Sequence, residues 1–342
     1  MKINHLDLFS GIGGFHLGFE RAGFKIKSYF SEVDKHAIAV YKHQFPNSTY
    51  VGSVTDVRGA ELPSIDLITF GSPCQDFSLS GKRKGMEGDR SSLILEAIRL
   101  IGECRPRVFV WENVKGTFSS NSGEDFAAII QAFANIGGYR LEWQLLNTSW
   151  FLPQNRERIY LVGYSSEPKR GWRGVFPITE SSSADTRPFR IEVVGDRGTG
   201  GQQGLIYSEE GVSPTINACT YKDPVKIKVK SATSCGYEEA EVGDSVNLSQ
   251  PNSLTRRGRV GKQKAQTLET SCNQAVIGEH RIRRLTTVEC ERLQGFPDNH
   301  TAFGNYDGSI LPVSNSHRYK QCGNAVTVDV VQAVAERTKK LF

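Results

Sequence analysis

Four groups of residues in this chain have the types and spacing to do chemistry. Cys74 lies in GSPCQDFS (71–78), just past an apolar run that ends at Phe70. A thiolate is a strong nucleophile, helped by nearby cations and helix N-termini, although a buried inert thiol accounts for a lone cysteine as well. Glu112 and Asn113 close the run VFVWENV (108–114), where a carboxyl group can give or take a proton or simply be solvated. Arg156 and Arg158 stand two apart in PQNRERIYLVG (153–163). On an extended segment they point the same way, toward an anionic or carbonyl-rich ligand or into a surface ion pair with Glu157. LDLFSGIGGF (6–15) sets a glycine turn between a strand and a helix, which suits close approach of a ligand or a tight turn alone. Gly11 and Gly13 fit the dinucleotide fingerprint, but His16 holds its third glycine position, so a nucleoside without pyrophosphate is the alternative. Glu32 ends the next strand, where an acid can hold two ribose hydroxyls.

The elements that must position these residues follow from periodicity. Strands are expected at 3–9, 24–31, 65–70, 108–111 and 158–163, with helices from the glycine turn to Ala22 and at 35–45, 92–104 and 124–135. Strands alternating with helices give a parallel sheet covered on both faces, and ligands of such sheets bind at the carboxyl ends of the strands. That rim would carry the glycine turn, Glu32, Cys74 and Glu112. SLSGKRKGMEGDRSS (78–92) reads as a long, polar, glycine-punctuated loop of the kind that often covers an active site. From 167 to about 280 the chain is rich in Gly, Ser, Thr and Pro, with short β-like pieces. Helical pattern returns at 286–294 and 327–341, and the last helix is expected to pack back on the first unit.

The 342 residues suggest two domains at about 150 residues each. The seven cysteines are odd in number, with no CxxC pair, and there is no HExxH. This argues against a disulfide framework and a zinc site of the usual spacing. No run approaches the roughly 18 apolar residues of a membrane span, and Asp7 comes too early for a signal peptide's apolar core, so no membrane and a cytoplasmic location are expected. The net charge of +5 permits a nucleic-acid partner without demanding one.

Taken together and in order, LDLFSGIGGF, Glu32, GSPCQDFS, ENV, QNRER, RRLTTVECERLQGFPD (283–298) and YKQCGNAVTVDVV (319–331) resemble the DNA (cytosine-5)-methyltransferase family. The resemblance covers about residues 5–165 and 283–335. It implies an α/β fold: a doubly wound, mostly parallel, Rossmann-like methyltransferase sheet with a smaller β-rich target-recognition domain. The catalytic domain would comprise 1–175 plus 314–342, and the recognition domain and hinge 176–313. The cofactor would be S-adenosylmethionine, with S-adenosylhomocysteine as product and no metal. Double-stranded DNA would lie in the cleft of a monomeric bacterial or phage-encoded enzyme held at the nucleoid, with a cognate restriction endonuclease as a further partner.

By motif match, Phe9, Gly11 and Gly13 would shape the cofactor cleft and Glu32 would bind the ribose hydroxyls. Val33 would pack near adenine, and Pro73, Leu93, Asn324 and Val326 would complete the pocket. Gly52-Ser53-Val54 stands where the family usually has Gly-Asp-Ile or Gly-Asp-Val, so Ser53 would offer a hydroxyl where an Asp is usual. Cys74 would add to carbon 6 of cytosine. Glu112 would engage ring nitrogen 3, Arg158 the carbonyl oxygen, and Arg156 the thiolate and loop. Gln75 to Ser78 would close over a flipped-out base.

In the middle region, LTRRGRVGKQK (254–264) carries five cations and no acid, among them Arg256, Arg257 and Arg259. These suit phosphate or guanine contact, or a solvated loop. The acidic run EEAEVGD (238–244) hides them in the total charge. Thr267-Leu268 resembles a short recognition-domain signature. Rival readings are a transfer-RNA cytosine-5 methyltransferase, a DNA-binding shell without activity, and a nicotinamide oxidoreductase, which His16 disfavours.

Overall fold

The computed structural model describes residues 1–72, 93–165, 174–180, 227–250, 253, 255–271, 273–278 and 282–342. Its centre is a seven-stranded sheet: β1 (Lys2–Leu8), β2 (Lys25–Ser31), β3 (Thr49–Tyr50), β4 (Leu67–Gly71), β5 (Val108–Val114), β6 (Arg140–Asn147) and β7 (Glu157–Tyr164). The order is β3-β2-β1-β4-β5-β7-β6. β1 to β5 pair in parallel, whereas β7 runs antiparallel between β5 and β6.

Helices cover both faces. On one face α1 (Gly14–Arg21) and α7 (Val328–Thr338) bury Phe15, Phe19, Val331 and Val334 against Leu67, Val108 and Val162. On the other, α3 (Leu93–Cys104) and α4 (Glu124–Asn135) bury Ile94, Leu100, Ile129 and Phe133 against Ile68, Phe70 and Trp111. Strand neighbours such as Leu67 and Ile68 face opposite ways, which is why these strands read as unbroken apolar runs. The C-terminal helix does rejoin the first unit. A Cβ on Gly18 of α1 would lie 2.4 Å from Val331 Cγ1, so that helix contact needs glycine. The helix α2 (Lys35–Gln44) starts where the Asp34 side chain accepts from the amides of His36 and Ala37.

The smaller part is antiparallel. β8 (Ile227–Lys230) and β9 (Tyr237–Ala240) form a hairpin, and β10 (Ser245–Asn247), β11 (Val260–Gly261), β12 (Gln274–Ile277) and β13 (Ile282–Arg284) form a sheet in the order β11-β10-β12-β13. Then follow α5 (Thr287–Leu293), opened by a Thr286/Glu289 capping box, the hairpin β14 (Phe303–Tyr306) and β15 (Ser309–Pro312), and α6 (Asn315–Asn324).

Three features depart from the sequence reading. β6 is an unanticipated edge strand, half-buried along most of its length, so its apolar pattern is weak. α6 is an unanticipated helix whose residues are mostly polar. The boundary drawn at 313–314 cuts through one apolar cluster, in which Phe296 and Val313 pack with Ile12, Ala37, Val40 and Val328. No helix among the described residues is long and apolar enough to cross a membrane.

Candidate active site

Strand register brings the chemistry-bearing residues to one rim. Leu8 pairs with Ser31 and Phe70, and Gly71 pairs with Glu112, so the carboxyl ends of β1, β2, β4 and β5 lie side by side. The glycine turn, Glu32, Ser72 and Glu112 therefore share an edge, as open α/β sheets arrange their ligand sites.

At the turn, Phe9, Gly11 and Gly13 all take positive φ. A Cβ on Gly13 would overlap the Phe45 ring at 2.3 Å, whereas one on Gly11 would meet none of the described residues within 4 Å. Gly13 is thus required by packing and Gly11 borders open space. The Glu32 carboxylate accepts from the amides of Gly11 (2.9 Å), Val33 (2.8 Å) and Asp34 (3.0 Å), which fixes it at the mouth of that space. Among the described residues the buried Ser10 hydroxyl has no partner. A fixed carboxylate, an open hollow and an orphaned hydroxyl fit a nucleoside cofactor. Val33 is 75% exposed and free to form a wall. Val326 abuts the turn, since a Cβ on Gly14 would lie 2.6 Å from its Cγ2. Asn324 is exposed at the end of α6, and Leu93 and Phe9 are partly buried beside the α3 core.

Two further cofactor candidates follow β3. Val54 is buried among Val57, Ile94 and Ala97 in the sheet core. Ser53 bonds the Thr55 hydroxyl at 3.0 Å, and Thr55 in turn donates to Asp56, so its hydroxyl is tied into a local chain.

Glu112 is buried, and its Oε1 lies 3.2 Å from Arg158 Nε without accepting a hydrogen bond from any of the described residues. The pair is an ion pair with a lone pair to spare. Gly71 leaves room for it, because a Cβ there would come 3.1 Å from Glu112 Oε2. Arg158 is further held by donating to the Glu157 carbonyl at 2.8 Å. Beside them the end of β4 is pinned: Trp111 Nε1 donates to Ser72 Oγ (3.0 Å), and Asn113 Nδ2 donates to the Ser72 carbonyl and hydroxyl (3.2 Å each). Two residues later comes Cys74, which lies outside the described residues together with Pro73, Gln75 and Ser78. The anchoring role of Ser72 and Trp111 was not read from sequence, since nothing local marks it.

Arg156 also reaches a segment distant in the chain. Its buried guanidinium donates to the carbonyls of Gly323 (3.3 Å) and Ala325 (2.8 Å), clamping the end of α6 that carries Asn324. Burial, and then the charge of Arg158, bring its pKa down to about 10. Thr148, Thr327 and Gln294 form a buried hydroxyl–amide chain that ends on the Cys322 carbonyl and fixes the same helix end. Beneath the turn, Thr69 and Tyr41 donate to Asp7 at 2.9 and 3.2 Å, and burial pushes the Asp7 carboxyl up to about 8.

The basic stretch of the smaller part divides. Arg257 is exposed and donates to the Ala232 carbonyl (2.8 Å), and Arg256 pairs with Glu269 (3.1 Å). Arg259 is a correction. Its buried guanidinium donates to the carbonyls of Asn247 (2.9 and 3.2 Å) and Lys230 (2.9 Å), so it holds the recognition fold together rather than reaching DNA. The acidic run faces this stretch directly: Glu238 accepts from the amides of Gly258 (2.8 Å) and Val260 (3.1 Å), and Asp244 from Lys262 (2.8 Å). Ala265 exchanges backbone bonds with Pro153 and Asn155, Thr267 donates to the Asn155 carbonyl (2.9 Å), and Leu268 is buried with Leu285 and Leu293. This segment docks the β-rich part beside Arg156.

Comparison with known proteins agrees with this arrangement. The C-5 cytosine-specific DNA methylase family profile matches residues 3–340. The chain is 30% identical over 342 residues to the Type II methyltransferase M.Bsp6I of Bacillus sp. strain RFL6, covering 98% of both chains. It is 32% identical over 340 residues to the Type II methyltransferase M1.ScrFI of Lactococcus lactis subsp. cremoris, covering 98% of this chain and 78% of that one. The fold matches the crystal structure of S. pombe Dnmt2 methyltransferase with a TM-score of 0.57 at 18% identity, over 97% of this chain and 96% of that one. This chain therefore belongs to the C-5 cytosine-specific DNA methylase family and is a DNA (cytosine-5)-methyltransferase.

Proposed function

We propose that the enzyme methylates a flipped-out cytosine within a specific duplex sequence through a covalent Cys74 adduct. The observation that carries this reading is the Glu112–Arg158 pair at 3.2 Å, on the rim beside Ser72 and the start of the segment that bears Cys74. Carbon 5 of cytosine is a weak nucleophile. The Cys74 thiolate adds to carbon 6, and the electron pair of the 5,6 double bond moves onto carbon 5. Glu112 holds ring nitrogen 3 and assists its protonation, and Arg158 holds the carbonyl oxygen. S-adenosylmethionine, when bound, supplies an activated methyl group to carbon 5 and leaves as S-adenosylhomocysteine. Loss of the carbon 5 proton reforms the double bond and expels the thiolate. The reaction as written calls for no metal. Because carbon 5 is inaccessible in a stacked duplex, the base must leave the helix, and Gln75 and Ser78 belong to the segment that would meet it.

Glu32 would hold the ribose hydroxyls, Gly11 and Gly13 the turn beside the cofactor, and Val33, Asn324 and Val326 the adenosine side. Arg256 and Arg257 would meet DNA phosphates or bases. Relatives named Type II and orphan methyltransferases of bacteria and phage support a place in a restriction–modification or self-protection system, in the cytoplasm and with a cognate endonuclease as partner. DNA carrying 5-fluorocytosine at the target should trap a denaturation-stable adduct, because no proton can leave carbon 5. A Cys74→Ser enzyme that methylates at the wild-type rate would refute the mechanism.

A further inference from the structure

The amino ends of the strands form a second rim, opposite the active site and separated from it by seven-residue strands, roughly 23 Å of sheet. Lys25 and Lys27 enter β2, Lys2 enters β1 in register with Lys25, Asp66 precedes β4 and Arg107 precedes β5. In sheet order these are neighbours. Lys2, Asn4, Lys25, Lys27 and Asp66 line a cleft of about 390 Å³. The end of the chain joins the same surface. Phe342 packs edge-on against Phe24, its carbonyl accepts from Arg107 (3.1 Å), and Lys339 Nζ lies 3.9 Å from a Cβ position on Gly23. Lys2, Lys25, Lys27, Lys339 and Lys340 are all exposed, and among the described residues none has a carboxylate partner. Asp66 is half-buried, accepts the Asn4 amide (2.9 Å) and lies 4.0 Å from Arg107, so it offsets little of this charge.

We propose that this rim is a second, sequence-independent DNA-binding surface, which holds a duplex segment by its phosphates while the catalytic rim engages another. Three observations favour duplex DNA as the occupant. The charge is largely unneutralised and runs along an edge, from the cleft lined by Lys2, Lys25 and Lys27 to Lys339 and Lys340 at the end of the chain. Lysines on flexible stems suit point contacts to a phosphate backbone. The enzyme's established substrate is a long polyanion, so a second segment is present at high local concentration whenever the first is bound.

The test uses the full-length enzyme and its triple charge reversal K2E/K25E/K27E with a fluorescent 30-base-pair duplex. Analytical ultracentrifugation at low salt should find two duplexes per wild-type chain and one per variant chain. Methylation of a short duplex should stay within twofold of wild type, because no substituted residue lies on the catalytic rim. Each lost phosphate contact lowers the log–log salt slope of binding by about 0.9, so the slope on plasmid DNA should shrink by about 2.7. A wild-type stoichiometry of one, or an unchanged stoichiometry in the variant, overturns the proposal. If the triple variant does not fold, K25Q/K27Q is read instead and should reduce the slope by about 1.8; an unchanged slope overturns the proposal.

Discussion

Glu112 and Arg158 meet because they are two residues out of register. Glu112 pairs across the antiparallel β5–β7 ladder with Tyr160, and Arg158 pairs with Val114. Side chains two apart share a face, so the offset sets a carboxylate and a guanidinium diagonally on one side, with Nε and Oε1 3.2 Å apart. Either charge left alone would be nearly buried and uncompensated.

Conservative replacement of either partner should therefore slow the chemistry while the protein still folds. Glu112→Gln and Arg158→Lys are expected to lower kcat by about 10²–10⁴-fold. Lysine is a weak replacement because it offers a point charge in place of a planar fork. Single-turnover methyl transfer checks this, with thermal unfolding as the control. A loss below tenfold in both variants would remove them from the mechanism.

Arg156 acts at one remove, through the carbonyls of Gly323 and Ala325. Arg156→Ala strands two acceptors, the buried Ala325 carbonyl at about 1–3 kcal/mol and the partly buried Gly323 carbonyl at less. We expect a lower Tm and a KM for S-adenosylmethionine raised more than kcat is lowered. Calorimetric titration with S-adenosylhomocysteine should show the same weakening without DNA present. Equal affinity in the two proteins would count against the clamp.

Arg257 and Arg259 are two residues apart and should behave oppositely. Arg259→Ala removes a buried guanidinium from three hydrogen bonds and should destabilise the fold by about 1–3 kcal/mol or more. Arg257→Ala should leave Tm within a degree or two but weaken duplex binding and flatten its salt dependence by about 0.9 in slope. Denaturant unfolding and fluorescence anisotropy on both variants separate the roles.

His300 links stability to pH. It lies beneath the glycine turn, with Nε2 2.9 Å from the Ile12 carbonyl, and burial brings its pKa down from 6.5 to about 4. The folded state thus binds fewer protons than the unfolded state between these values. Its contribution is complete above pH 6.5 and is lost as pH falls toward 4, a change on the order of 3 kcal/mol. A His300→Phe variant should show a flatter stability profile across that window. Parallel profiles for the two proteins would contradict the assignment.

Much of this protein is determined locally. The apolar runs of β1, β4 and β5 and the helical spacing of α3 and α4 follow from side-chain periodicity, which neighbours along the chain set. The rim holding the glycine turn, Glu32 and Glu112 follows because parallel strands must end on the same side. Tertiary structure alone decided which charges are spent internally. Arg156, Arg257 and Arg259 look alike in sequence, yet one clamps Gly323 and Ala325, one is exposed, and one is buried beneath Asn247. The reversed direction of β7, which creates the Glu112–Arg158 diagonal, was likewise invisible, since strand periodicity carries no sign of direction. The partners of these charges come from segments far away in the chain, and only packing determines which carbonyl or carboxylate arrives first.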